Sequence, residues 1–356
     1  MALLHGGQLQ KIAQQHNIPI SDWLDVSTGI APISYPIPTI PLSAWQQLPQ
    51  HNPELITAAK KYYQCSTLMF TNGSQAIIKA LPALYRLKNS KGTDVYLPER
   101  GYKEHAHAWS SADYNLHFYR DALPEITDLL PHSVLVIINP NNPTGTFFNS
   151  QVIDSYQERI QQLNGLLVLD EAFMDVMPVN EKARDRGINQ ENNHCLVLRS
   201  FGKFFGLAGI RIGFLIANDE WCQAFKELLG PWQVNGPAQF IAQHALQNTT
   251  WQVTQRQRLN TLRIAQEKML KEVFSHTLLQ DIKGSDLFLT LNFHQPYIAK
   301  KLYNLLCEQG VYCRLADEQD TLRFGITTQG LLPFLERACK QALRRLKPNK
   351  TTSHFI

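Results

Sequence analysis

Short apolar runs alternate with amphipathic helical patterns along most of the chain. Several of these runs are continuous and stop at polar or turn residues, which is typical of strands that are buried on both faces of a parallel sheet. Strands and helices that alternate in this way indicate an α/β fold. The strands are predicted near residues 67–70, 94–97, 116–119, 134–138, 166–169, 195–199 and 211–216.

Both ends of the chain depart from this pattern. Residues before about Pro49 are rich in Pro, Gly and Ser, and they predict an extended arm with a short strand near 23–27. The Gly- and Pro-rich run 230–237 precedes a long predicted helix, and apolar runs at 287–293 and 322–326 predict strands of a small α+β domain. We therefore divide the chain into an N-terminal arm that is part of the small domain, a large domain and a C-terminal small domain, at residues 1–48, 49–236 and 237–356.

Composition narrows the class of protein. A chain of 356 residues with 44% hydrophobic content can bury an α/β core and a second, smaller domain. The net charge of +4 is too small to favour nucleic acid, and the basic residues form no stripe interleaved with aromatics. No apolar run approaches the roughly 18 residues of a membrane span, and the N-terminus lacks a signal-peptide pattern. We expect a cytoplasmic protein that binds neither nucleic acid nor membrane.

No metal centre is predicted from the cysteines and histidines. The six cysteines are scattered, without a Cys-x-x-Cys pair or metal-ligand spacing, and we expect them to be reduced and mostly buried. His105 and His107 form the tightest histidine pair, but side chains two positions apart on a helix point apart.

Polar residues follow three of the predicted strands. Asn142 lies in the turn after 134–138, Asp170 follows 166–169, and Lys203 follows 195–199. Open α/β sheets bind ligands at the carboxyl ends of their strands, so these side chains would surround one planar heteroaromatic ligand. Pyridoxal phosphate (PLP) requires such a trio, because a lysine condenses with its aldehyde and a carboxylate keeps its pyridine nitrogen protonated. Lys203 and Asp170 are therefore the predicted catalytic residues, and Asn142 would donate to the phenolic oxygen of PLP.

A phosphate site is predicted upstream of this trio. Gly73, Ser74 and Gln75 lie where a strand ends in a tight turn and a helix begins. The open N–H groups of a helix start and the helix dipole favour an anion there. Ser200 and Arg211 flank the lysine and would complete the site, since arginine offers planar, bidentate donors.

These motifs resemble, in order and spacing, the class I and II aminotransferases of PLP fold type I. That family carries Asn-Pro-x-x-Pro-Thr-Gly, Asp-x-Ala-Tyr/Phe, Ser-x-x-Lys and Gly-x-Arg-x-Gly, which match this chain at 139–145, 170–173, 200–203 and 209–213. The resemblance extends from about His5 to about Arg345. It implies PLP as cofactor, with Tyr102 stacked on its ring, and a mostly parallel seven-stranded sheet flanked by helices, a smaller α+β domain and an N-terminal arm.

Other segments narrow the resemblance. These segments lie at 5–7, 23–30, 35–36, 102–105 and 230–238. They resemble the threonine-phosphate decarboxylases of cobalamin biosynthesis, whose nearest relatives are the histidinol-phosphate aminotransferases. The resemblance implies conversion of L-threonine O-3-phosphate to (R)-1-amino-2-propanol O-2-phosphate and carbon dioxide. Phe173 agrees with it, because the aminotransferases generally carry a tyrosine at this position.

The resemblance also implies residues that bind the substrate. Arg323 matches the family arginine of the small domain, and Arg314 matches the one that holds substrate phosphate. His5 would add an anion contact from the N-terminal arm, Gly29 would offer its backbone N–H, and Asn142 would contact the substrate as well as the cofactor. A phosphorylated amino acid is thus the expected substrate.

Two other functions stay open, and so does the assembly. A histidinol-phosphate-type aminotransferase differs from a decarboxylase only in which Cα bond the site orients for cleavage. A noncatalytic regulator of this fold usually carries an appended DNA-binding domain, for which this chain has no spare length. A homodimer is expected from the resemblance alone, because the family's Tyr-Pro that reaches the partner is matched here by Leu48-Pro49.

Overall fold

A computed structural model of the protein describes residues 6–177 and 194–346. Its α-helices are α1 (Leu9–His16), α2 (Ser43–Gln46), α3 (Pro53–Tyr63), α4 (Ser74–Lys88), α5 (Glu104–Ser110), α6 (Ser150–Gln162), α7 (Phe201–Phe204), α8 (Asp219–Leu229), α9 (Gly236–Gln247), α10 (Thr249–Leu278), α11 (Tyr297–Cys307) and α12 (Leu332–Leu346). Its strands are β1 (Leu24–Asp25), β2 (Leu68–Thr71), β3 (Asp94–Pro98), β4 (Asn115–Tyr119), β5 (Val134–Ile138), β6 (Leu166–Asp170), β7 (Cys195–Ser200), β8 (Gly213–Ile216), β9 (Leu279–Ser285), β10 (Phe288–Phe293), β11 (Val311–Tyr312), β12 (Arg314–Leu315) and β13 (Thr321–Gly325).

The chain forms two compact units. The large unit covers Ile33–Arg256, and the small unit covers the described residues of Met1–Pro32 and Gln257–Ile356. The predicted boundaries at 48/49 and 236/237 therefore differ from the divisions between compact units. Residues 33–48 and 237–256 fall in the large unit because α9 packs against α2 and α3 and because the Gln255 side chain donates to the carbonyl of Ile33 at 2.8 Å.

The large unit is built on a seven-stranded sheet in the order β2-β8-β7-β6-β5-β3-β4. The pairs β2/β8 and β7/β8 are antiparallel, and the other neighbours are parallel. Every residue of β5 and β6 is buried, which agrees with their continuous apolar sequences. Each such Val, Leu or Ile contributes about 1.5–3 kcal/mol when it is fully buried. The predicted mostly parallel α/β fold is confirmed.

The long helix predicted after residue 237 is interrupted. The structure has two helices there, α9 and α10, with Asn248 between them. The Asn248 side chain accepts a hydrogen bond from the backbone N–H of Trp251 at 3.0 Å, so it caps the start of α10. The polar periodicity continues across Asn248, and for this reason the pattern alone predicted one helix.

The small unit has a four-stranded antiparallel sheet in the order β12-β13-β10-β9 and a separate parallel pair of β1 with β11. The strands predicted at 287–293 and 322–326 correspond to β10 and β13. In the parts of the chain that the structure describes, no helix is long and apolar enough to cross a lipid bilayer.

Candidate active site

A cavity of about 140 Å³ lies in the large unit at the carboxyl ends of β5, β6 and β7. All of the predicted cofactor-binding residues line it, although they come from separate parts of the sequence. They are Gly73, Ser74, Gln75, Tyr102, Asn142, Asp170, Ser200, Lys203 and Arg211. The structure thus brings these side chains to one place, and their roles stay predictions.

Asp170 lies at the end of β6, and its carboxylate is almost completely buried. His105 of α5 contacts it, with 2.8 Å between the imidazole Nε2 and the carboxylate Oδ2. The other carboxylate oxygen accepts the backbone N–H of Ala172 at 3.1 Å. A buried carboxylate requires such partners. The sequence places His105 in the segment 102–105 that carries the resemblance and in the tightest histidine pair, but it does not predict this contact with Asp170.

The start of α4 forms one end of the cavity. Gly73 precedes the helix with a φ of 70°, and in the described structure no side chain caps the first turn of α4. The hydroxyls of Ser74 and Ser200 lie 2.9 Å apart, and a Cβ at Gly73 would lie 3.0 Å from Nη2 of Arg211. Hydroxyls, a guanidinium and open N–H groups at a helix N-terminus are the donors that bind a phosphate.

Gln75 and Tyr102 belong to a hydrogen-bonded chain in the cavity wall. The Tyr102 hydroxyl donates to Oε1 of Gln75 at 3.0 Å, and Nε2 of Gln75 donates to Glu104 at 2.6 Å. Burial, followed by the nearby Glu104 and Asp170 carboxylates, raises the pKa of Tyr102, so its hydroxyl keeps its proton. Because these bonds engage both the oxygen and the nitrogen of the Gln75 amide, its backbone N–H at the start of α4 is the better placed donor for an anion. Glu104 was not predicted.

Lys203 lies on α7, a single helical turn that follows β7 directly. Its ammonium nitrogen is 5.7 Å from the centre of the buried Phe173 ring. The preceding Gly202 is required, because a Cβ there would lie 2.5 Å from the Cα of Ala208. The backbone before the lysine is therefore packed closely against Ala208, and the lysine ammonium lies near an aromatic ring that carries no hydroxyl.

A buried group of charges lies beside the cavity. The Arg199 guanidinium contacts Glu171 at 2.6 Å and Asp175 at 3.2 Å, and all three side chains are buried. Burial alone would lower the pKa of Arg199, but the two carboxylates raise it above its usual value. The sequence did not predict this group, because Glu171 was considered only as a neighbour of Asp170.

The predicted substrate-binding residues do not all line this cavity. Asn142 lines the cavity, whereas Gly29, Arg314 and Arg323 belong to the small unit, and His5 lies outside the described residues. Arg314 and Arg323 are paired across β12 and β13. Arg323 donates to the Ser27 carbonyl at 2.6 Å, and Arg314 contacts Asp317 at 2.7 Å. Burial and then the charge of Arg314 lower the pKa of Arg323 to about 10.

Comparison with known proteins identifies the family. A model of the class I and II aminotransferases matches residues 46–336. A threonine-phosphate decarboxylase of Pseudomonas aeruginosa is 39% identical over 91% of this chain and 93% of its own. One from Sinorhizobium sp is 33% identical over 70% of this chain and 73% of its own. The chain belongs to the class I and II aminotransferase family, as predicted.

A solved structure supports the fold. Histidinol-phosphate aminotransferase from Sinorhizobium meliloti, in complex with pyridoxal-5'-phosphate, aligns with a TM-score of 0.78 over 98% of this chain and 96% of its own. Its sequence identity is 17%, so the likeness concerns the fold alone. The predicted fold type I is confirmed.

Proposed function

We propose that the protein is a PLP-dependent carboxy-lyase that converts L-threonine O-3-phosphate to (R)-1-amino-2-propanol O-2-phosphate and carbon dioxide in cobalamin biosynthesis. The observation that carries this proposal is the cavity, which combines Lys203, the buried Asp170 and a cluster of anion donors. The similarity to two threonine-phosphate decarboxylases supports the choice of reaction.

The donor set of the cavity fits PLP. Asp170, supported by His105, would hold a proton at the pyridine nitrogen, and Tyr102 would lie against the ring. Ser74, Ser200, Arg211 and the first N–H groups of α4 would hold the phosphate. When bound, PLP supplies an electron sink that stabilises negative charge at the Cα atom of an amino acid.

The residues of the chain contribute position and proton transfer. Lys203 Nζ would deliver a proton to Cα after carbon dioxide leaves, because its amine lies in the cavity that holds the cofactor donors. The orientation of the substrate decides which Cα bond breaks. Residues that hold the carboxylate and the phosphate therefore select between loss of carbon dioxide and loss of the Cα proton.

Arg314 and Arg323 are the proposed binding groups for the two anions of the substrate. Their strands are neighbours, and the charge of Arg314 lowers the pKa of Arg323. This repulsion between like charges is relieved when an anion binds to them. Since the pKa of Arg323 is still about 10, the side chain is positively charged at neutral pH.

The test is a product assay on the PLP-reconstituted protein. With L-threonine O-3-phosphate, we expect equal amounts of carbon dioxide and amino-propanol phosphate and no accumulation of pyridoxamine phosphate. Lys203→Ala serves as the inactive control. Formation of pyridoxamine phosphate with the carboxylate retained would instead indicate an aminotransferase of the histidinol-phosphate type. Phe173 disfavours that outcome, because no tyrosine hydroxyl lies next to Lys203 at this position.

We further propose that the protein is a cytoplasmic homodimer. Several large apolar side chains of the large unit are more than half exposed, and they include Ile37, Leu42, Trp45, Leu48 and Trp232 as well as Leu87 and Phe118. Four of them lie within the short segment 37–48, and apolar groups that cluster on a surface often mark a protein interface. Light scattering of the purified protein should give twice the chain mass of 40.6 kDa, and Trp45→Glu should shift it towards the monomer.

A further inference from the structure

The first described residues are held against Ser27 in the small unit. Gly7 donates its backbone N–H to the Ser27 hydroxyl at 2.8 Å, and Ser27 is completely buried. A Cβ at Gly6 would lie 3.0 Å from the Ser27 carbonyl carbon and closer still to its oxygen. Gly7 has a φ of 76°, where side chains are strained. Glycine is therefore needed at both positions for the chain to pass Ser27.

Ser27 contacts Arg323 with a different atom. Its carbonyl oxygen accepts a hydrogen bond from Nη2 of Arg323 at 2.6 Å. A guanidinium donor makes this bond stronger than one between neutral groups. The hydroxyl of Ser27 thus holds the N-terminal segment, while the carbonyl of the same residue holds a guanidinium that faces a second arginine on the neighbouring strand.

Tyr312 reinforces this arrangement. Burial and the Asp25 carboxylate raise the pKa of Tyr312, while the Ser27 side chain and the Gln8 backbone oppose that shift, so the phenol lies close to both of them. The backbone N–H of Val26 donates to the Tyr312 carbonyl at 2.9 Å, so the strand that carries Tyr312 also fixes the residue before Ser27. Arg314, one of the two arginines proposed to bind the substrate anions, follows Tyr312 by two positions.

We propose that Ser27 is a positioning residue for anion recognition, which seats the segment Gly6–Gln8 and orients Arg323 for a phosphate or carboxylate group. This inference rests on the proposed function in one respect, that Arg323 binds an anion of the substrate. A displaced segment would release the Ser27 hydroxyl, shift its carbonyl and turn the guanidinium.

The test compares two variants with a matched glycine control in the cofactor-loaded protein. Gly6→Ala forces the segment away from Ser27, and Ser27→Ala removes the hydroxyl that holds it. Gly330→Ala is the control, because a Cβ there meets no atom within 4 Å. Calorimetry measures the affinity for inorganic phosphate, and hydrogen exchange measures the protection of the Gly7 amide.

We expect Gly6→Ala and Ser27→Ala to weaken phosphate binding by roughly tenfold, as the loss of one hydrogen bond near a charged group predicts. The KM for L-threonine O-3-phosphate should rise in parallel while the absorbance of the bound cofactor is unchanged. Gly7 protection should fall in these variants and stay intact in Gly330→Ala.

Three results would overturn the inference. These are wild-type phosphate affinity in both Gly6→Ala and Ser27→Ala, an equal loss in Gly330→Ala, or a wild-type protein that binds no phosphate. The proposed function fails separately, if the wild-type protein releases no carbon dioxide while phosphate binding still depends on Ser27.

Discussion

Replacement of His105 by alanine tests whether the buried Asp170 carboxylate depends on its imidazole partner. The two side chains are 2% and 4% exposed and 2.8 Å apart, so water does not readily replace the lost ring. His105→Ala would leave Asp170 with the Ala172 N–H as its remaining contact among those described above. A buried polar group that loses a partner is destabilised by about 1–3 kcal/mol.

This free energy sets the expected size of the effect. A loss of about 1–3 kcal/mol corresponds to roughly 5–150-fold in an equilibrium constant. We expect the dissociation constant of PLP to rise within that range, because Asp170 is the proposed partner of the pyridine nitrogen. Absorbance titration of the apoprotein with PLP measures the constant, and denaturant unfolding of the apoprotein separates loss of fold from loss of the site.

His107→Ala is the matched control for this experiment, because His107 is exposed on the same helix α5. It should leave both PLP affinity and stability unchanged. Unaltered PLP affinity in His105→Ala, with the protein folded, would refute the reasoning that the imidazole supports Asp170.

Three further predictions concern the cavity and the thiols. Phe173→Tyr adds a hydroxyl beside the Lys203 ammonium, and it should lower the ratio of carbon dioxide to pyridoxamine phosphate; an unchanged ratio would contradict a role for this position in reaction choice. Gly73→Ala strains a backbone at φ 70° and presses on the Arg211 guanidinium, so PLP binding should weaken by roughly 1–2 kcal/mol, as titration would show. Burial raises the pKa of Cys222 and Cys307 from the usual 9.0 to about 11. The folded state therefore holds the thiol protons more tightly than the unfolded state does. The stability that these two thiols contribute is complete below pH 9 and is lost as the pH rises to about 11. Unfolding curves across that interval should show the decline.

The local sequence was sufficient to predict the strands of the large unit and the residues around Lys203. The apolar runs of β5 and β6 are continuous because both faces are buried, and each stops where the chain reaches the cavity. Asp170 and Lys203 were found because each directly follows such a run. A motif that lies within a few residues of a strand end can therefore be interpreted without the tertiary structure.

Contacts between distant segments could not be predicted in this way. His105 and Asp170 are 65 positions apart, and Gln75 and Glu104 are 29 apart. Their distances depend on how α4 and α5 pack against the sheet, and a single sequence does not specify that packing. The capping role of Asn248 was missed for a related reason, since an asparagine is compatible with the polar face of a helix as well as with its start.

The buried charges beside the cavity explain how one strand end can serve two purposes. Successive side chains of a strand point to opposite faces, so Asp170 reaches the cavity while the next residue, Glu171, points away from it. On β7 the same alternation separates Ser200, which lines the cavity, from Arg199. The ion pair between Glu171 and Arg199 thus joins the ends of β6 and β7 from the far face. Because Lys203 lies on the short helix α7 that directly follows β7, this ion pair fixes the strand end that carries the lysine next to the strand end that carries Asp170.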